Sequence, residues 1–168
     1  LEKPFIVVEG FDPPQLGING SLHYNDFKND IALAFIPSTS ISLTDELENG
    51  GYDLVYIDFD NGSDYIQANA YVVEDIINWV NQQKTLNGSI AENVVMGESM
   101  GGLVARYALR EMEMLGQNHQ TRKYISFDSP QQGANIPLGT QYMLLHLATI
   151  SIDGIPLTIV NRQQNVYQ

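Results

Sequence analysis

Apolar and polar positions along the chain fall into two alternating rhythms. Phe5-Ile6-Val7-Val8 is an unbroken apolar, largely β-branched run after Pro4, closed by Gly10, Pro13 and Pro14. A run with no polar alternate face is what a strand buried on both sides of a parallel sheet requires. Tyr52 to Phe59, ended by Asp60-Asn61-Gly62, and the shorter Val94-Val95-Met96 predict a second and a third strand. Tyr124 to Phe127 predicts a fourth strand, closed by Asp128-Ser129-Pro130. Between these runs the period lengthens to that of a helix. Over Ala70 to Lys84, Val72, Val73, Ile76, Ile77 and Val80 share one side, with Asp75, Asn78, Asn81 and Gln82 on the other. From Gly102 onward, Leu103, Val104, Tyr107, Ala108, Met112 and Leu115 form a second stripe that Gly116 terminates. Thr44 to Leu47 before Gly50-Gly51 predicts a brief helix, and Phe27 to Phe35 another, broken at Pro37.

Strands alternating with helices predict an α/β fold, a parallel sheet covered by helices on both faces. In such sheets ligands bind beyond the C-terminal strand ends, where the loops at Gly10, Asp60, Ser99 and Asp128 fall. Beyond Pro137 the pattern changes to two apolar pieces, Tyr142 to Ile150 and Ile155 to Val160, around Asp153-Gly154.

Composition narrows the functional classes. A length of 168 residues with 43% hydrophobic residues suits one globular unit. Eight Lys and Arg against 20 Asp and Glu give a net charge of −12, with Thr121-Arg122-Lys123 as the nearest approach to a basic cluster, so nucleic acid is repelled. The absence of cysteine excludes disulfide scaffolds and thiolate chemistry. No apolar run reaches the roughly 20 residues a membrane span needs. Leu1 opens the sequence without a signal-like segment, the expectation for a chain numbered after processing. Acidity fits an exported protein as well as simple solubility. No His/Asp cluster has metal-ligand spacing, and the glycines near Ser99 lack the order of a phosphate or dinucleotide loop, so no cofactor is expected.

The chemistry concentrates at Gly97-Glu98-Ser99-Met100-Gly101. The GxSxG pattern alone arises by chance with an expectation of roughly 0.1 in a chain of this length. Its context is more specific: a strand runs straight into it and a helix straight out, with small residues on both sides of the serine, as a nucleophile elbow demands. Ser99 at a helix N-terminus would have its oxyanion favoured by backbone amides. The second oxyanion donor comes from an earlier loop, and Glu9-Gly10-Phe11-Asp12 follows the first strand at the same end of the sheet. The amides of Met100 and Phe11 are therefore the candidate oxyanion hole. An ordinary strand-to-helix turn at Ser99, and an ordinary Gly-Phe-Asp-Pro turn at Phe11, are the competing readings.

In their order along the chain these segments resemble the α/β-hydrolase superfamily, in its lipase and esterase branch. "FIVVEGF" resembles the strand and His-Gly-Phe loop of the oxyanion hole, "YDLVYIDFDNGSD" the next strand, "VVMGESMGGLVARYAL" the elbow and its helix, and "YISFDSPQQGANIP" the following strand. Glu9, Glu98 and Gln131 each stand where that pattern often has histidine. The resemblance implies that residues 1–137 are the N-terminal portion of the hydrolase core and 138–168 the start of a cap or lid. It also implies a serine hydrolase that cleaves carboxylic esters of lipid or other apolar acyl groups through an acyl-enzyme on Ser99.

Such a serine needs a base and an orienting acid, in the order Ser, acid, His for this fold. His23 precedes Ser99, and His119 follows a helix that carries the chain some 20 Å from the elbow. His146 is in the permitted order, with Asp128 before it, although Asp128 equally suits a loop-organising role. The alternative expectation is that base and acid lie beyond residue 168. An acyltransferase, a peptidase and a non-catalytic binding domain of the same fold remain open on these residues.

Overall fold

The computed structural model describes residues 1–12, 24, 27, 42–149, 151–152 and 155–156, with side chains through residue 143. The expected helix over Phe27 to Phe35, the break at Pro37 and most of the Ile155 to Val160 piece lie outside these residues. Four strands, β1 (Pro4–Val8), β2 (Asp53–Ile57), β3 (Asn93–Glu98) and β4 (Thr121–Phe127), form one sheet in the order β2-β1-β3-β4. All three pairings are parallel, with Ile6 opposite both Val55 and Val95, and Val95 opposite Tyr124. The two unbroken apolar runs, β1 and β3, are the strands with neighbours on both sides, and β1 is buried throughout.

Side-chain alternation divides the core into two layers. Ile6, Val8, Ile57 and Val95 face α2 (Ile66–Leu86) and α3 (Met100–Met114), where they meet Ala70, Val73, Ile77, Val80, Val104, Ala108 and Met112. Phe5, Val7, Val94 and Met96 face the other way, onto Leu47 of α1 (Leu43–Asn49) and onto Phe27, whose ring lies 5.4 Å from that of Tyr56. Ser42 caps α1 in a capping box: its Oγ accepts from the Asp45 amide, while the Asp45 carboxylate accepts from the Ser42 amide.

This arrangement selects one place for a ligand. The chain leaves β1 for β2 on one side and leaves β3 for β4 on the other, so the loops after β1 and β3 diverge over opposite faces of the sheet. The crevice between them is the topological switch point.

The opposite ends of the strands are sealed by a polar network. Asn93 Nδ2 donates to Asn81 Oδ1 (2.9 Å) and to the His119 carbonyl (3.0 Å), and buried Lys84 Nζ donates to the Ala91 carbonyl (2.8 Å) and Gln120 Oε1 (3.1 Å). Burial lowers the Lys84 pKa below its ordinary value, with Glu92 opposing the shift.

After β4 comes α4 (Leu138–Thr149), which makes the Tyr142 to Ile150 piece helical up to Thr149 and leaves Leu138, Tyr142 and Met143 exposed. A two-stranded antiparallel pair, β5 (Ser151–Ile152) and β6 (Ile155–Pro156), follows it. Among the described residues no helix is long and apolar enough to cross a membrane.

Ile77 is completely buried where α2 meets the sheet, so Ile77→Ala is expected to cost about 2–5 kcal/mol in chemical denaturation. Asn78, exposed on the same helix, should change stability by no more than about 0.5 kcal/mol on replacement by Ala.

Candidate active site

One residue separates strand β3 from helix α3. Glu98 ends the strand, Met100 begins the helix, and Ser99 makes the turn with φ 48° and ψ −120°. A positive φ in a residue with a Cβ costs of order 1–3 kcal/mol and persists only where the surroundings enforce it. Here the Ser99 amide is held by the Phe127 carbonyl of β4 (2.9 Å), and the Ser99 carbonyl accepts from Gly102 (3.2 Å) to start the helix. The Ser99 hydroxyl makes no capping bond to the helix it precedes.

The flanking glycines are explained by backbone proximity. A Cβ on Gly97 would stand 2.5 Å from the Gly101 carbonyl oxygen and the Gly102 nitrogen. A Cβ on Gly101 would overlap the carbonyl oxygens of Val8 and Glu9, at the end of β1. The first turn of α3 thus rests directly on the backbone of the first strand. The same approach brings the oxyanion-loop candidate to the serine: the Cβ direction of Gly10 points at Ser99, 3.2 Å from its Cβ and 3.9 Å from its Oγ. Phe11 follows with 51% of its surface exposed, and Met100 is the first residue of α3.

The other expected loops converge on the same end. Gly62, after β2, packs so tightly on Asp12 that a Cβ there would come within 2.9 Å of the Asp12 backbone. Asp128 sits at the end of β4 with φ 46°, exposed, next to the Phe127 carbonyl that anchors Ser99. The Ser129 hydroxyl donates to the carbonyls of Gly97 (3.3 Å) and Phe127 (3.2 Å). Gln131 latches this loop to α3: it accepts from Arg106 Nη1 (2.9 Å) and donates to Tyr124 Oη (3.0 Å), which itself donates to the Gly102 carbonyl (2.6 Å). Where the sequence comparison left Gln131 as a replaced histidine, the fold gives it a structural duty.

The histidines separate. His119 lies at the N-terminal strand ends, its carbonyl bonded to Asn93 and Asn81, and a strand the length of β3 holds it roughly 20 Å from Ser99. His146 is on α4, its side chain outside the described residues, as is all of His23. Among the described residues no group of three or more His, Asp or Glu is placed to hold a metal. A groove of about 430 Å³ runs along the outer side of α3 between Ile66, Leu103, Tyr107 and Met114, and Ser99 is not part of it.

Two acids near Ser99 hold their protons more tightly than usual. Glu9 is completely buried; its Oε1 accepts from the Phe59 amide at 2.6 Å. Burial, and then the neighbouring carboxylates of Asp58 and Asp12, push it up from 4.5 to about 8 against the opposing effect of the Phe59 amide. Burial and then Asp128 raise Glu98 as well. Residue type alone did not reveal Glu9, because a polar residue after an apolar run reads as the start of an exposed loop.

No protein-family model and no curated protein matches the sequence. Solved structures do. The chain is similar to the lipase BlEst2 of Bacillus licheniformis in its mature form, at 18% identity and a TM-score of 0.51 over 80% of this chain and 43% of that one. To the propeptide form of the same lipase it is similar at 16% identity and a TM-score of 0.52, over 98% of this chain and 32% of that one. The chain therefore spans less than half the length of either structure. At these identities the likeness shows the fold. It is an α/β fold of partial α/β-hydrolase type.

Gly101→Ala is expected to destabilise the fold by about 3 kcal/mol or more, since no flexible atom can yield to the added methyl; chemical denaturation measures this. A pH dependence also follows. The native state keeps the Glu9 proton up to about pH 8 while an unfolded carboxyl releases it near 4.5, so the native state binds more protons between these values and stability falls as pH rises across them. Melting temperatures taken across that window should decline less in Glu9→Gln than in the wild type.

Proposed function

We propose that this chain carries the nucleophile of a serine hydrolase acting on carboxylic esters, with Ser99 as the attacking residue. The observation that carries the reading is the backbone at Ser99: a non-glycine residue held at positive φ between a central strand and a helix, with its hydroxyl uncommitted to capping and the Gly10 backbone beside it. A turn that merely joined two elements would gain by having glycine there. The lipase-like fold of the solved neighbours supports the same reading.

In this reading Ser99 Oγ attacks the ester carbonyl as a base takes its proton. The carbonyl oxygen gains the negative charge and is held by the amides of Met100 and Phe11. The tetrahedral species collapses to an acyl-serine as the base gives the proton it took to the departing oxygen, which leaves as the alcohol, and water repeats the sequence to release the acid and restore Ser99. Acyl transfer to an amine or another alcohol uses the same intermediate.

The base is a histidine supplied from outside the described side chains, because His119 is at the wrong end of the sheet. Asp128 is at the correct end to orient it, and His146 on α4 is the candidate within this sequence. An apolar acyl group suits the exposed Phe11, which follows Gly10 beside the serine.

The full-length protein should be labelled by a fluorophosphonate, and Ser99→Ala should abolish labelling while leaving the melting temperature equal or higher. Absence of labelling in the wild-type protein would sink the enzyme reading in favour of a binding domain.

A further inference from the structure

We propose that the protonated Glu9 carboxyl is the positioning group that holds the Gly10-Phe11 loop against Ser99, so that Ser99 loses reactivity when that proton is lost. The inference rests on the esterase reading of Ser99 and concerns what keeps its oxyanion loop in place.

Three elements converge on Glu9. Its amide donates to the Ile57 carbonyl of β2 (3.2 Å), its Oε1 accepts from the Phe59 amide (2.6 Å), and its carbonyl forms the surface on which Gly101 of α3 rests. The side chain therefore turns inward, toward the β2 loop, at a point where the backbone is turning outward to reach the serine. Gly10, the next residue, is the one whose Cβ direction meets Ser99. A displacement of Glu9 is transmitted through one peptide unit to Gly10 and through two to the Phe11 amide.

The remaining oxygen decides the protonation state that this architecture needs. Glu9 Oε2 is shut away from water and finds no donor among the described residues. The carboxyl has Asp58 of the β2 loop beside it, with Asp12 of its own loop also acting on it, and both are acids. Among the described residues no cation acts on Glu9. On the α3 side the Glu9 backbone carbonyl lies under Gly101, and the raised Glu98 carboxyl has Asp128 as its acidic neighbour. A proton on Oε2 makes the carboxyl a two-way clasp, accepting from Phe59 and donating toward Asp58, which joins the loop after β1 to the loop after β2. The Asp12–Gly62 contact joins the same two loops farther out. Without the proton, a buried anion faces two further carboxylates, and the strain is relieved by moving the loop.

The test measures the rate of fluorophosphonate labelling of Ser99 in the full-length protein across neutral and alkaline pH. In the wild type the rate should fall as pH passes about 8, by roughly tenfold for each further pH unit. Glu9→Gln keeps an acceptor for Phe59 and a donor toward Asp58 without a titrating proton, so its rate should stay near the neutral wild-type value throughout. Glu9→Ala should label roughly a hundredfold more slowly at every pH. A Glu9→Gln profile that declines like the wild type's, or a Glu9→Gln rate as low as that of Glu9→Ala, overturns the proposal.

Amide hydrogen exchange at Gly10, Phe11 and Asp12 gives a readout independent of Ser99 chemistry. Protection lost above about pH 8 in the wild type and retained in Glu9→Gln supports the clasp, and protection that ignores pH in the wild type overturns it. A wild-type protein that takes no label at any pH defeats the esterase reading, and the exchange data alone then decide whether Glu9 holds the loop.

Discussion

The structure depends on a contact between two pieces of backbone. The first turn of α3 lies against the carbonyls of Val8 and Glu9, at a distance that admits no side chain on Gly101. That approach brings the end of β1 beside the end of β3, and with it the loop at Gly10 beside the serine at 99. The strained dihedrals of Ser99 are affordable because this contact, the Phe127 anchor and the buried layer under α2 and α3 all fix the turn from different directions. The glycines serve the site by letting rigid elements touch, so its precision comes from the sheet and the helix, with the loops following.

Charge follows a different logic from packing. The C-terminal strand ends gather acids: Glu9 with Asp58 and Asp12, and Glu98 with Asp128. The other end of the sheet holds the amides of Asn81 and Asn93, a histidine carbonyl and one buried lysine, joined in a hydrogen-bonded network in which Asn93 Oδ1 alone of these side-chain atoms lacks a partner among the described residues. At the acidic end the buried oxygens without partners, Glu9 Oε2 and Glu98 Oε2, belong to carboxyls around Ser99. Burial and like-charged neighbours hold the Glu9 and Glu98 carboxyls above their ordinary range at that end.

The parts of this architecture carried by periodicity were legible in the residues. The apolar runs of β1 and β3 predicted strands, that of β1 a buried one, and the stripe of Val72, Val73, Ile76, Ile77 and Val80 predicted α2, whose Val72 faces out. Boundaries were less legible. Helix α2 extends from Ile66 to Leu86 rather than Ala70 to Lys84: its first turn, Ile66 to Asn69, mixes apolar and polar residues outside the periodic stripe, and Asn69 bonds to the Asn61 carbonyl (3.2 Å). Strand β4 begins at Thr121 rather than Tyr124, since among the described residues it pairs on one side alone and can carry Arg122 and Lys123. Strand β2 stops at Ile57 although the apolar pattern runs on to Phe59, whose amide is taken by Glu9. Ser99 was legible because its motif is local. The burial of Glu9 and the latch formed by Gln131 were not, because each is assembled from segments 25 or more positions apart that meet only in the fold.

The dihedral angles of Ser99 also bear on where the fold gives up stability. At positive φ, glycine is cheaper than serine, and a single substitution at this codon would relax the turn without disturbing the sheet around it. Serine is the less comfortable occupant, so the strain held at this one turn is stability that the fold forgoes there.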